Sequence, residues 1–159
     1  MRKRYLMVLT VMGLCVAVAG SAFAGNATRN ECIAMVREAA ELVNTAGVET
    51  AIKEINKRDG RFVWKDSYVF LMDLDGKMLA HPMKPELTEK EHLLLEVDPN
   101  GKALFVHFVN LARNQGEGWV DYLWPKPGET IPSQKVTYIY RIPGTEYFLG
   151  AGIYAGMMH

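Results

Sequence analysis

Apolar residues recur every three or four positions over residues 27–57, which predicts an amphipathic helix. The stripe comprises Cys32, Met35, Val36, Ala39, Ala40, Leu42, Val43, Val48, Ile52 and Ile55. Gly47 interrupts this pattern, so we expect either one bent helix or two helices in succession. The polar run with a glycine at residues 56–60 predicts where the helical segment ends.

After residue 60 the pattern changes from helical to strand-like. Residues 68–72 are rich in β-forming side chains, residues 73–76 form a predicted turn, and residues 77–81 predict the returning strand. The Asp-x-Asp-Gly of this turn also occurs at the start of calcium-binding loops. The twelfth position of such a loop would be Lys84 rather than glutamate, so we interpret the turn as structural.

The second half of the chain predicts one more helix and three more strands. An irregular stretch at residues 82–101 precedes a helix at 103–113, and strands follow at 119–124, 135–141 and 147–154. The predicted fold is α+β, with a five-stranded antiparallel sheet and a long N-terminal helix, similar in outline to a PAS domain. Such a sheet can bind a small ligand between one face and the long loop with its helix.

The first 24 residues are expected to be a signal peptide. Three basic residues precede an apolar run of 16 residues and a small-x-small motif that ends at Ala24. The run is shorter than the roughly 20 residues that span a bilayer, so cleavage is favoured over retention as a membrane anchor. We therefore expect residues 25–159 to form a single domain located in the periplasm.

The composition of residues 25–159 argues against some partners. This part of the chain has 15 basic and 18 acidic side chains and no basic stripe, which argues against nucleic acid as a partner. Cys32 is its only cysteine, so no disulfide can form within the domain. The thiol could cross-link two chains, but its position in the apolar stripe favours burial.

No sequence pattern typical of catalysis or of a bound cofactor is present. The chain has neither a GxSxG nor an HExxH motif, and His81, His92, His107 and His159 lack the spacing of metal ligands. We therefore expect a protein that is not an enzyme and has no cofactor or metal. A haem protein that uses His81 or His107 is an alternative that the colour of the purified protein would test.

Aromatic side chains concentrate on the last strands, which favours a ligand pocket. Alternation along "WVDYLW" places Tyr122 and Trp124 on one face, and alternation along "KVTYIYR" places Lys135 and Tyr138 on opposite faces. Rows of this kind can simply pack against the N-terminal helix. Aromatic walls with a few polar groups, such as Lys135 and His81, are also typical of small-molecule sites.

Several blocks of the sequence, in order, resemble the extracellular single Cache domain of the second subtype. They are "YVFLMDLDGKMLAHP", "DPNGKALF", "GEGWVDYLWPKPGE", "KVTYIYRIPG" and "GAGIY", and the similarity extends over residues 66–154. Domains of this family sense small molecules in bacterial chemoreceptors and sensor kinases. Members with known ligands bind mainly small carboxylates such as acetate, propionate, pyruvate or lactate. The final "GIYAGMMH" replaces the second membrane helix of receptor members, so we expect a sensor module without the receptor.

The resemblance implies which residues bind the ligand. They are Phe70, His81, Tyr122, Trp124, Lys135 and Tyr138. Phe70 stands where many members have tryptophan, so this wall of the pocket is expected to differ. Lys135 is expected at the mouth of the pocket, where its replacement would weaken the binding of a carboxylate with little effect on folding.

These observations predict a periplasmic binding module for a short-chain organic acid. It would feed chemotaxis or signal transduction through a membrane chemoreceptor, a sensor kinase or a transporter. The alternative is a protein-interaction module that binds no ligand, forms a homodimer through its N-terminal helix and partners a membrane receptor.

The exported protein is expected to begin at Gly25, because the small-x-small motif ends at Ala24. Intact-mass spectrometry of the protein from a periplasmic extract measures this. A membrane-bound protein that retains Met1 would contradict the prediction.

Overall fold

The computed structural model describes residues 25–155, and the predicted signal peptide lies outside this range. The N-terminal stripe forms two successive helices, α1 (Arg29–Ala46) and α2 (Val48–Ile55). α1 begins with a reciprocal cap in which Thr28 and Glu31 each accept a hydrogen bond from the other's backbone N–H. Gly47 separates the helices at a φ of 85°, a left-handed conformation that favours glycine. No helix within residues 25–155 is long and apolar enough to span a membrane.

The strands form one antiparallel sheet of six strands within the described part of the chain. They are β1 (Val63–Trp64), β2 (Ser67–Asp73), β3 (Met78–Ala80), β4 (Glu117–Pro125), β5 (Pro132–Arg141) and β6 (Tyr147–Tyr154), and α3 (Leu104–Asn114) connects β3 to β4. The order across the sheet is β1-β2-β6-β5-β4, and β3 also pairs with β2. The expected number of five strands is wrong by one. The additional strand is β1, whose two residues pair with the start of β2 and are too few to show alternation.

Each face of the sheet contributes to a separate hydrophobic core. On β2, Tyr68, Phe70 and Met72 join the core beneath α3, whereas Val69 and Leu71 join the core against α1 and α2. β2 is therefore buried on both faces. This layering of helices on both sides of an antiparallel sheet confirms the predicted α+β, PAS-like class.

Glycines on β6 leave room for large side chains on the α3 face. A Cβ atom at Gly150 would lie 2.6 Å from Cε1 of Phe70, and one at Gly152 would lie 2.8 Å from Cε of Lys135. Both separations are shorter than van der Waals contact. The absence of a side chain on these two glycines therefore allows the Phe70 ring and the Lys135 stem to lie directly against the strand.

One buried carboxylate anchors the long connection between β3 and α3. This connection contains two short 3₁₀ turns, Pro85–Glu89 and Leu93–Leu95. Asp98 then accepts hydrogen bonds from the backbone N–H groups of Asn100, Lys102 and Leu123. Because Leu123 belongs to β4, its hydrogen bond fixes the residues before α3 against that strand.

Replacing Gly150 with alanine is expected to lower the free energy of unfolding by about 1–3 kcal/mol, because the new methyl group would overlap the Phe70 ring. Gly118→Ala is the matched strand control, since its methyl group would meet only the flexible end of Leu111, at 3.0 Å. Urea unfolding followed by circular dichroism measures both variants. Equal destabilisation by the two substitutions would contradict the role assigned to Gly150.

Candidate ligand-binding site

A small aromatic cavity lies between the sheet and α3. Its volume is about 10 Å³, and its walls come from Tyr68, Phe70, Met78, His81, Leu104, Phe105, Phe108, Tyr122 and Trp124. A space of this size holds about one water molecule. The wall includes four of the six residues expected to bind ligand, namely Phe70, His81, Tyr122 and Trp124.

Lys135 adjoins the cavity through Tyr68. The lysine is 1% exposed, and its Nζ donates a hydrogen bond to the Tyr68 hydroxyl at 3.0 Å. Nζ also lies 4.1 Å from the ring centroid of Tyr68 and 4.8 Å from that of Tyr154. No carboxylate within residues 25–155 forms an ion pair with this amine.

Burial without a counter-ion makes the charged form of Lys135 costly. It lowers the pKa of Lys135 to about 7, while Cys32 and Asp66 act weakly in the opposite direction. The expectation that Lys135 lies at the pocket mouth is therefore wrong. Gly152 on the neighbouring strand allows the lysine stem to lie against the sheet, so the amine is enclosed rather than exposed at an edge.

The imidazole of His81 is held in one tautomer. Its Nδ1 accepts a hydrogen bond from the backbone N–H of Lys84 at 2.9 Å, so the ring proton lies on Nε2. The ring centroid is 4.9 Å from that of Tyr68 and 6.1 Å from that of Phe70. Burial, together with the positive charges of Lys135 and Lys84, lowers the pKa of His81 to about 3. His81 is therefore a neutral N–H donor near neutral pH.

The Tyr68 hydroxyl joins the polar groups of the site. It accepts hydrogen bonds from Lys135 Nζ and from Trp124 Nε1, both at 3.0 Å. Burial raises the pKa of Tyr68 well above its ordinary value, so the hydroxyl stays protonated. Tyr68 was not among the expected site residues. The sequence did offer one indication that Tyr68 belongs to the site. Tyr68 and Phe70 are two positions apart on β2, so strand alternation places both side chains on the same face.

The α3 side of the cavity is apolar. Leu104, Phe105 and Phe108 face the sheet, and the Phe108 ring stacks on Phe70 with a centroid distance of 5.7 Å. The helix at residues 103–113 was expected, but these residues were not predicted to line a site. The polar side chains of the cavity wall, Tyr68, His81, Tyr122 and Trp124, therefore lie on the sheet side, and the helix side is hydrocarbon surface.

Tyr138 does not lie in this cavity. It follows Lys135 by three positions on β5, so its side chain points to the opposite face of the sheet. There it packs in the core of α1 and α2, 5.3 Å from the Trp119 ring centroid. Its hydroxyl donates to Glu117 and accepts from Arg37. The structure thus brings together five of the six predicted residues and leaves Tyr138 apart from them.

Two larger depressions lie elsewhere on the described surface. One, of about 320 Å³, lies between α3 and β4, and the other, of about 620 Å³, lies between the β2–β3 turn and the second 3₁₀ turn. Both are open to solvent, and neither has a buried charged side chain in its wall. We place the candidate site at the aromatic cavity because its polar groups have already been removed from water.

The free energy of unfolding is expected to rise between about pH 7 and about pH 9. The pKa of Lys135 is about 7 in the folded domain and has its ordinary value of 10.5 in the unfolded chain. The unfolded chain therefore binds more protons over this range, which makes stability rise with pH by up to about 1.4 kcal/mol per unit.

Lys135→Met should lack this rise and should be more stable than the wild type at about pH 7, because a buried unpaired charge is removed. Trp124 would still donate to the Tyr68 hydroxyl in this variant. Urea titrations of both proteins across this pH range measure the effect. The same pH slope in both proteins would show that Lys135 is not the titrating group.

Comparison with known proteins gives the same architecture. A family model described as a Cache domain matches residues 33–158. The structure of a periplasmic sensor domain of a chemotaxis protein has a TM-score of 0.64 at 31% identity, covering 78% of this chain and 88% of that one. A Cache chemosensory domain studied for carboxylic acid recognition has a TM-score of 0.65 at 29% identity, covering 77% and 85%.

Two longer sensory proteins also match. The methyl-accepting chemotaxis protein McpP of Pseudomonas putida is 39% identical over 89 residues, which are 56% of this chain and 16% of that protein. The sensor histidine kinase MctS of Rhizobium johnstonii is 27% identical over 90 residues, 57% of this chain and 19% of the kinase. The chain thus matches less than a fifth of either relative. The family model, in contrast, covers most of this chain and confirms the resemblance seen in the sequence: the chain belongs to the Cache domain family.

Proposed function

We propose that this domain is a periplasmic sensory module that binds a short-chain organic acid of the acetate, propionate, pyruvate or lactate class and has no catalytic activity. The observation that carries the proposal is the buried amine of Lys135, which has no carboxylate partner within residues 25–155 and adjoins an aromatic cavity. An isolated buried cation is unfavourable, and an anionic ligand would supply the missing counter-charge.

The hydrogen-bonding groups match a single carboxylate. An ammonium has three N–H groups, and Lys135 uses one of them on Tyr68. The remaining two, with the Nε2–H of His81, provide three donors for the two oxygens of a carboxylate. The Tyr122 hydroxyl forms a hydrogen bond with Thr137 at 2.9 Å in which either oxygen can be the donor, so Tyr122 is not needed as a donor to the ligand. We propose that Tyr122 and Trp124 form walls, and that the α3 phenylalanines cover the hydrocarbon part of the ligand.

The size of the cavity restricts the ligand and requires some movement. At about 10 Å³ it is too small for even a two-carbon acid, which has four heavy atoms. Met78 is one wall residue that can move, because its unbranched thioether changes rotamer easily. Because a larger ligand would have to displace more of the wall, the proposal favours acids of two to four carbons over larger ligands.

The relatives support this class of ligand and also indicate the class of membrane protein that would recognise the ligand-bound domain. One similar Cache domain was studied for carboxylic acid recognition, and two matching proteins are a chemoreceptor and a sensor histidine kinase. We propose that the ligand-bound domain is recognised by a membrane chemoreceptor, a sensor kinase or a transporter. A homodimer formed through α1 belongs instead to the alternative, an interaction module that binds no ligand.

A thermal-shift screen of C2–C4 acids tests the proposal. A binding acid at a hundredfold excess over its Kd should raise the free energy of unfolding by about 2.7 kcal/mol. In isothermal titration, Lys135→Met should weaken binding about tenfold to somewhat over a hundredfold, because one charged hydrogen bond contributes about 1.5–3 kcal/mol. Lys77→Met is the matched control, since Lys77 is an exposed lysine of the β2–β3 turn.

Two results would count against the proposal. Equal affinity of wild type and folded Lys135→Met would remove the lysine from the site. A complete panel of acids without any shift in the wild type would instead favour the interaction module that binds no ligand, and sedimentation would then be expected to show a dimer.

A further inference from the structure

The ligand-free site contains one group whose charge can change near neutral pH. Lys135 is enclosed by protein, and its single hydrogen-bond acceptor among the described residues is the Tyr68 hydroxyl. The ring faces of Tyr68 and Tyr154 favour a cation, but this attraction is weaker than the cost of removing an ammonium from water. The geometry therefore supports a neutral amine as readily as an ammonium.

The other titratable groups near Lys135 come from each element packed around it. They are Cys32 of α1, Asp66 before β2, Tyr68 of β2, His81 after β3, Tyr122 of β4 and Tyr154 of β6. Burial raises the pKa values of the thiol and of the three tyrosines and lowers that of the imidazole, so these five groups are neutral near pH 7. Asp66 is held by a hydrogen bond from the Ala27 N–H at 2.7 Å and makes no ion pair with Lys135. Lys84, beside His81, adds only positive charge.

We propose that the acid binds together with a proton, which is taken from solvent and carried on Lys135 in the complex. The inference rests on the proposed function. Before binding there are one carboxylate anion, one neutral lysine amine and one proton in solvent. In the complex these have become one ammonium–carboxylate pair. No covalent bond forms or breaks. His81 cannot accept the proton instead, because its Nδ1 already accepts the Lys84 N–H.

This coupling makes the sensor respond to pH as well as to the acid. Burial lowers the pKa of Lys135 to about 7 in the free domain, and a bound anion favours the ammonium. The affinity for the carboxylate anion should therefore be flat below about pH 6 and should fall about tenfold per pH unit well above pH 7. The same concentration of acid would give a weaker response in an alkaline medium.

Isothermal titration of the wild-type domain with acetate and propionate tests the coupling. Each titration is repeated in two buffers of different ionisation enthalpy, at about pH 6 and at about pH 8.5. The dependence of the observed heat on the buffer gives the number of protons taken up. We expect about 0.1 proton per ligand at the lower pH and nearly one at the higher pH, given a pKa of about 7.

Lys135→Arg is the matched variant, because a guanidinium stays charged over the whole range. If it folds, its affinity should not change between these pH values. The wild-type titrations decide the question without it. Acid binding at the higher pH with no proton uptake would overturn the coupling and leave the proposed function standing. Failure of acetate, propionate and the rest of the C2–C4 panel to bind at the lower pH would overturn both.

Discussion

The site depends on an amine that is buried without a counter-ion. Lys135 is 1% exposed. Within residues 25–155 its amine contacts the Tyr68 hydroxyl and the ring faces of Tyr68 and Tyr154, but it forms no ion pair. Such an arrangement lowers the stability of the folded domain, because a buried charge without a counter-ion opposes folding. The arrangement makes physical sense if an anion completes it, and we propose that the anion binds in the neighbouring cavity, beside the histidine N–H.

The rest of the fold positions that amine. Gly152 gives the lysine stem space against β6, and Gly150 does the same for the Phe70 ring. Asp98 holds the residues before α3 against β4, so that Phe105 and Phe108 close the cavity opposite the sheet. Because α1 and α2 cover the other face, the aromatic face beneath α3 is left for the site. The enclosure that lowers the pKa of Lys135 thus arises from backbone geometry on one strand and from helix placement across the sheet.

Local patterns predicted much of this organisation, whereas distances across the sheet could not be predicted. The helical stripe and the alternation along the late strands place α1, α3 and Tyr122 correctly. The same alternation already separated Tyr138 from Lys135, and only the family resemblance placed both in the site. The depth of Lys135 was not predictable, because it depends on Gly152, a residue of another strand. Tyr68 was missed for a similar reason. Its role in the site comes from the hydrogen bonds that its hydroxyl accepts from Trp124 and Lys135, which belong to other strands.

The most direct test of the central claim is a crystal structure of the domain with bound propionate. One carboxylate oxygen is expected at about 2.7–2.9 Å from Lys135 Nζ, as in other charged hydrogen bonds. The second oxygen should be near Nε2 of His81, with the ethyl group against Phe105 and Phe108. A propionate bound in the open depression between α3 and β4, with Lys135 Nζ still paired only to Tyr68, would contradict the account.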